Sequence, residues 1–147
     1  MDAQEYYEEG AWLLAQQRFE ESVDCFTKAI EADPSLAKAY HARGAAYFRL
    51  GQDEAALHDF KKALEFEPEN PRLYYSIGLI YFRRQDYEKA LEHFNTALKH
   101  DSLYAPAYLA KGQVFEALGE EAAADIEYEK AAAAKREQIK ASRIVDF

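Results

Sequence analysis

The apolar and small residues of this 147-residue chain return at a fixed step of 34 positions. One position of the period is always glycine, another is always alanine, and two more are always aromatic. The four sets are Tyr6, Tyr40, Tyr74 and Tyr108; Gly10, Gly44, Gly78 and Gly112; Ala29, Ala63, Ala97 and Ala131; and Phe26, Phe60, Phe94 and Tyr128. A repeat of this length predicts stacked units, each built from two helices joined by a turn.

The spacing within one period gives each recurring residue a packing role. Glycine inside a helix costs roughly 1 kcal/mol relative to alanine, so Gly44 predicts a point where the second helix crosses the first closely. Ala56 and Ala63 are small on the opposite helix for the same reason, and Phe60 fills the space between them. We therefore expect the recurring aromatic residues in the core rather than at a cofactor site.

The order of these residues closely resembles the tetratricopeptide repeat (TPR) family. Within the second period they read Tyr40-x-x-Arg43-Gly44-x-x-Tyr47, then Ala56-x-x-x-Phe60, Ala63 and Pro68. The resemblance implies an all-α fold, a right-handed α-solenoid of four helix–turn–helix repeats with a concave inner face. The expected repeats are residues 3–36, 37–70, 71–104 and 105–136, within one domain over residues 1–147. A fold of this kind does not by itself name a partner.

The second helix of the fourth repeat departs from the pattern. Asp125 and Ala132 stand where the earlier repeats have valine, leucine or isoleucine. We expect this helix to cap the stack, because end repeats need a polar outer face. No helix breaker follows, so it should continue to about Arg143 within a C-terminal helical extension over residues 137–147. For the apolar tail Ile144–Phe147, a frayed helix end and docking onto this or a neighbouring molecule both remain open.

Charge and composition narrow the classes of partner. Eighteen basic residues against 27 acidic ones give a net charge of −9. Contacts with nucleic-acid phosphates or anionic membranes need a basic surface, so we expect neither kind of partner. The acidic N-terminus lacks the apolar run of a signal peptide, and Cys25 is the only cysteine. We expect a cytoplasmic protein in which Cys25 is an unreactive, partly buried thiol.

The family resemblance also suggests a binding surface. TPR ligands usually lie along the concave face lined by the first helices. The repeat register identifies the residues of this chain at the equivalent positions. It holds an apolar and aromatic stripe with four basic residues, against Glu8 and Glu116 as the acids. The stripe is Tyr7, His41, Phe48, Tyr75, Leu79, Phe82 and Leu109, and the basic residues are Lys38, Arg49, Arg72 and Arg83.

Such a groove suits an apolar peptide or helix that carries acidic residues. In the alternative interpretation, Phe48 and Phe82 pack between repeats and the arginines are merely solvated. One mode of the family is disfavoured, the carboxylate clamp for chaperone C-terminal tails. Its positions hold Tyr7, Ala11, Ala42, Arg72 and Ser76, of which only Arg72 is chemically similar to the clamp.

Catalytic and metal-binding patterns are weak. His93 and His100 lie seven residues apart and share a helix face, but two histidines alone are weak evidence for a metal site. Each glycine is solitary, unlike a phosphate-binding loop. We therefore expect a non-enzymatic scaffold with no cofactor and no metal, which binds another protein. The alternative is a structural module that forms a homo-oligomer through its end repeats and C-terminal tail, and an enzyme is a remote third possibility.

Overall fold

The computed structural model of the chain describes the backbone of residues 1–145 and the side chains of residues 1–143. This part contains eight α-helices and no strand. The helices are α1 (Ala3–Ala15), α2 (Phe19–Ala32), α3 (Ala37–Arg49), α4 (Asp53–Phe66), α5 (Pro71–Arg83), α6 (Tyr87–His100), α7 (Ala105–Ala117) and α8 (Glu121–Val145). The all-α fold and the long last helix are confirmed, since α8 has 25 residues against 14 in α6. The two alternatives for the tail Ile144–Phe147 concern side chains outside the described residues.

Helix packing divides the chain into two compact units, Met1–Glu69 and Asn70–Phe147. In the first unit α1 packs on α2 and α3 packs on α4, while α3 also contacts α2 and α1. In the second unit α5 packs on α6 and α7 packs on α8, while α7 also contacts α6 and α5. Each unit therefore consists of two helical hairpins with their first helices side by side. The organisation of residues 1–147 as one domain stays a prediction.

Each hairpin is closed by a ring that lies against a glycine. A Cβ atom on Gly44 would lie 2.7 Å from Cε1 of Phe60, and one on Gly78 would lie 2.5 Å from Cε1 of Phe94. Phe60 and Phe94 are almost completely buried, at 1% and 0% exposure, so neither ring has room to retreat. The close approach predicted from the glycine positions is therefore confirmed.

A buried ion pair joins three helices of the first unit. On α3, Arg43 donates through Nε and Nη2 to the two carboxylate oxygens of Asp59 on α4, both at 2.8 Å. Its Nη1 donates to Oγ1 of Thr27 on α2 at 3.1 Å. The hydrogen bonds to Asp59 raise the pKa of Arg43. Because Asp59 is only 1% exposed, this guanidinium is what makes its burial tolerable.

The turn inside each hairpin requires a residue with positive φ. Gly51 and Gly119 supply it with φ of 76° and 77°. Gln17 and Gln85 occupy the same place in the other two hairpins with φ of 62° and 63°. Side chains make this left-handed conformation unfavourable, so the two glutamines hold local strain that the two glycines avoid.

Replacement of Arg43 by alanine is expected to destabilise the protein by about 3–5 kcal/mol, because it leaves Asp59 buried without its partner. The double variant Arg43→Ile/Asp59→His copies the residues of the third repeat and should lose less stability, since no unpaired charge is buried. Urea unfolding followed by circular dichroism measures both. Arg18→Ala, which removes an exposed ion pair with Glu21, is the control and should leave the midpoint close to wild type. Equal midpoints for the Arg43 and Arg18 variants would contradict the assignment.

Gln85→Gly is expected to stabilise the protein by about 0.5–1 kcal/mol, because glycine removes the strain of positive φ at that turn. The reverse change, Gly51→Gln, should destabilise it by a similar amount. Thermal unfolding of the two variants beside wild type gives both differences. A lower melting temperature for Gln85→Gly would show that the glutamine is not strained.

Candidate functional site

The inner surface of the first unit is built on the first helices of its hairpins, α1 and α3. The ring of Tyr7 rests against Phe26 with centroids 5.8 Å apart, and His41 meets Phe60 edge-on at the same distance. Nζ of Lys38 lies 4.6 Å from the centroid of the Tyr7 ring and donates to Oε1 of Gln4. Tyr7 and His41 are thus half-buried rings, each supported by the core phenylalanine of its own hairpin.

The end of α3 supplies two more of the predicted residues. The guanidinium of Arg49 lies 4.8 Å from the centroid of the Phe19 ring, at the start of α2. The arginine is exposed and its position is fixed by a ring that sequence reasoning did not include in the site. Phe48, beside it on α3, is half-buried.

The inner surface of the second unit is centred on Tyr75 of α5. Its ring contacts Phe94 at 5.9 Å and meets Tyr104 edge-on at 5.6 Å. Burial raises the pKa of both tyrosines, and for Tyr104 the charge of Arg72 opposes that effect. Tyr104 belongs to the turn between α6 and α7, and the same repeat position holds Leu36 and Asn70 elsewhere. Sequence reasoning missed it because only the first helices were searched and the position does not recur as aromatic.

Leu79 and Phe82 belong partly to the surface and partly to the core. Both pack against a buried cluster made of residues Ala90, Phe94, Ala97, Ala107, Ala110 and Val114. Phe82 also contacts Tyr87, with ring centroids 5.8 Å apart. Phe82 is therefore partly committed to packing, while part of its side chain stays accessible.

The remaining predicted residues are all exposed. Arg72 and Arg83 are exposed, and Leu109 on α7 is 36% exposed. The end of α7 is acidic, because Glu116 borders an open cavity of about 330 Å³ together with Glu121 and Asp125. The basic character of the surface therefore comes from α3 and α5 and does not extend to the end of the fourth hairpin.

Tyr128 closes the fourth hairpin in place of phenylalanine. Its hydrogen bond with Glu116, together with burial, raises the pKa of Tyr128 to about 12. The phenol is thus held protonated as a donor to a carboxylate. Glu116 is therefore engaged with its own hairpin, which makes it less available to a ligand than its exposure suggests.

Among residues 1–145, no group of three or more His, Cys, Asp or Glu side chains is placed to hold a metal ion. No helix in this part of the chain is long and apolar enough to cross a membrane. Burial, reinforced by the charge of Glu9, raises the pKa of the Cys25 thiol, which keeps it protonated at neutral pH as expected.

The arrangement of these residues favours binding over chemistry. Half-buried rings with one accessible side offer apolar contact without losing much conformational freedom. Lysine and arginine beside them attract carboxylates.

Comparison with solved structures shows the same fold in several proteins. MamA from Desulfovibrio magneticus RS-1, from residue 41 to its end, superposes with a TM-score of 0.79 at 23% identity, covering 93% of this chain and 77% of that one. Pseudomonas aeruginosa PilF superposes with a TM-score of 0.81 at 25% identity, covering 91% of this chain and 61% of PilF. The first TPR of Spaghetti (RPAP3), bound to the HSP90 peptide SRMEEVD, has a TM-score of 0.74 at 26% identity, covering 80% and 94%. A search of curated proteins found no match.

Family models match nearly the whole sequence. Those described as TPR repeat match residues 3–51 and 46–83, and those described as tetratricopeptide repeat match residues 71–102 and 105–138. Together with the structural similarity, they confirm the predicted fold class, an α-solenoid of TPR repeats. The chain belongs to the tetratricopeptide repeat family.

Proposed function

We propose that this chain is a non-enzymatic protein-interaction scaffold whose first helices bind a peptide or helix of a partner protein. The observation that carries the proposal is a contact that recurs in three hairpins. In each, a ring on the first helix lies against the core phenylalanine of the same hairpin. Tyr7, His41 and Tyr75 lie on Phe26, Phe60 and Phe94 with centroid distances of 5.8–5.9 Å. Rings fixed in this way present an apolar surface to a ligand before it arrives.

Rigid aromatic side chains and arginines are the usual anchors of protein interfaces. They bury a large area with little loss of side-chain freedom on binding. Phe82 adds to this surface in the second unit, where it is already supported by Tyr87. A partner that contacts these residues gains apolar burial without having to order them.

The charges of the surface select an acidic partner. Lys38, Arg49, Arg72 and Arg83 lie on the first helices of a chain whose net charge is −9. Opposite charges across an interface speed the encounter and exclude basic partners. The similar TPR of Spaghetti holds a peptide with two glutamates and an aspartate, which supports an acidic peptide as the class of ligand.

We propose a different mode of recognition from the carboxylate clamp. The residues at the clamp positions include Tyr7 and Ala42, neither of which carries a positive charge to pair with a terminal carboxylate. Lys38 is held over the Tyr7 ring instead, so its charge lies beside an apolar surface. An internal segment with alternating apolar and acidic side chains suits this arrangement better than a free C-terminus.

Self-assembly is the second candidate function. Trp12 on α1 and Ile139 on α8 are 57% and 54% exposed, so a contact with a second copy would bury apolar area that one molecule leaves accessible. These residues lie outside the surface proposed for the peptide. A cytoplasmic location stays a prediction.

Reversal of two charges on the proposed surface is expected to weaken peptide binding at least tenfold. The variant is Lys38→Glu/Arg72→Glu. Peptides selected on wild type from a displayed random library should be rich in aspartate or glutamate next to apolar residues. Fluorescence anisotropy with one selected peptide then measures its dissociation constant for each protein, and a tenfold change corresponds to about 1.4 kcal/mol.

The matched control is Lys61→Glu/Lys99→Glu, which changes the net charge equally but at exposed sites on the second helices α4 and α6. It should bind as wild type does. Equal weakening by both variants would show that the effect depends only on overall charge. Unchanged binding by Lys38→Glu/Arg72→Glu would place the peptide elsewhere.

A further inference from the structure

The outer face of α1 corresponds to a face that neighbouring helices cover elsewhere in the chain. On α3 this face carries Ala39 and Ala46, both 0% exposed, and it packs on α2. On α7 it carries Ala107 and Val114, both 0% exposed within the cluster shared with α6. The repeat register of 34 residues thus defines a face of each first helix that is built for contact with a second helix.

On α1 the same positions carry Glu5, Glu9 and Trp12. Trp12 occupies the repeat position that Ala46 and Val114 hold in other repeats, yet it is 57% exposed. It is also the only tryptophan in the chain, and Glu5 and Glu9 on the same face are exposed. Tryptophan is among the commonest anchors of protein interfaces, so this position points to a contact that the described residues do not make within one molecule.

The opposite charge is found on α8. This helix continues eleven residues beyond Ala134, the position equivalent to His100 at the end of α6. We call residues 135–143 the α8 extension. It carries Lys135, Arg136, Lys140 and Arg143, all exposed, around Ile139, which is 54% exposed. Its one acid, Glu137, pairs with Lys140 at 3.5 Å. A chain with net charge −9 therefore has a concentrated basic patch on this segment.

If a second molecule merely continued the repeat stack of the first, the contact between them would not include this basic patch. Within one molecule, Arg43 on α3 meets Thr27 on α2. If α1 of one copy stacked on α8 of another in the same register, Glu9 and Glu129 would occupy these two positions. Two carboxylates would then face each other, which is unfavourable. A favourable contact has to be displaced along α8 towards its extension.

We infer that α1 of one copy docks antiparallel on α8 of a second copy, with Trp12 over Ala132 and Glu9 beside Lys135 and Arg136. This register also brings Glu5 towards Lys140. Ala132 is exposed and small, so it leaves space for an indole at the position where the third repeat has Leu98. The ligand of the α1 face is thus a second copy of this chain, selected by charge complementarity.

The contact is head-to-tail, since each copy uses two different surfaces. Each bound copy leaves its other surface available, so assembly proceeds beyond a dimer unless the assembly closes. The inference does not rest on the proposed peptide-binding function, because Glu5, Glu9 and Trp12 lie outside the predicted peptide surface.

Trp12 fluorescence and sedimentation velocity of the full chain test this contact together. As the protein concentration rises at low salt, the Trp12 emission should shift to shorter wavelength while the sedimentation coefficient increases. Salt at about 0.5 M should reverse both changes, because it screens exposed charges. A monomer at every concentration, or association without a shift in emission, would overturn the proposal.

Two charge-reversed variants test the pairing itself. Glu5→Lys/Glu9→Lys makes both surfaces basic, and Lys135→Glu/Arg136→Glu makes both acidic, so each variant alone should associate at least tenfold more weakly. An equimolar mixture should associate again, because each variant offers the complement of the other. Failure of the mixture to associate, with both variants helical by circular dichroism, would contradict the inferred pairing.

Controls of equal charge change separate this contact from general electrostatics and from the peptide surface. Glu20→Lys/Glu31→Lys and Lys61→Glu/Lys99→Glu alter exposed sites on second helices and should associate as wild type does. The Lys135→Glu/Arg136→Glu variant should still bind a selected acidic peptide. Loss of association in the controls would overturn the α1–α8 contact, whereas loss of peptide binding in all proteins would count only against the proposed function.

Discussion

The contact between a glycine of the first helix and a ring of the second is the constraint on which each hairpin depends. In the fourth hairpin a Cβ atom on Gly112 would lie 2.3 Å from Cε1 of Tyr128, so even one methyl group would separate the helices. Burial of a whole ring therefore stabilises the hairpin by about 25 cal/mol per Å² of apolar area. The helix-propensity cost of one glycine opposes this gain. On the second helices, alanines such as Ala29 and Ala63, both 0% exposed, allow an equally close approach on the other side of the core ring.

The same rings hold the candidate binding surface in place. Tyr75 lies on Phe94, and Phe94 lies against Gly78, so the surface ring is one layer above the contact that closes the hairpin. A change that loosens the core would consequently alter the surface as well. Exposed charges such as Arg72 are separable from this packing, and for that reason they are better probes of binding than Phe82 is.

The sequence predicted what recurs in every repeat, and it did not predict pairings that occur in only some of the repeats. Period and residue size were sufficient for the helices and the glycine contacts. The tie between Arg43 and Asp59 is not deducible in this way, because it depends on how far a side chain reaches across two helices. The positive φ of Gln85 was missed because glutamine gives no local signal for that conformation. Tyr104 was missed because it lies in a turn, outside the helices from which the surface was transferred.

The ion pairs show that the same repeat position can carry contacts of different strength. Glu127 and Lys111 occupy the positions of Asp59 and Arg43, but their closest approach is 3.4 Å, against two bonds of 2.8 Å. Oε2 of Glu127 has no hydrogen-bond partner among the described residues, although the residue is only 6% exposed. An ammonium is a point charge and cannot satisfy both carboxylate oxygens as the guanidinium fork does. The ion pair between α3 and α4 is therefore stronger than the one between α7 and α8. Helix α8 thus carries both a buried carboxylate whose second oxygen is unsatisfied among the described residues and the exposed basic extension.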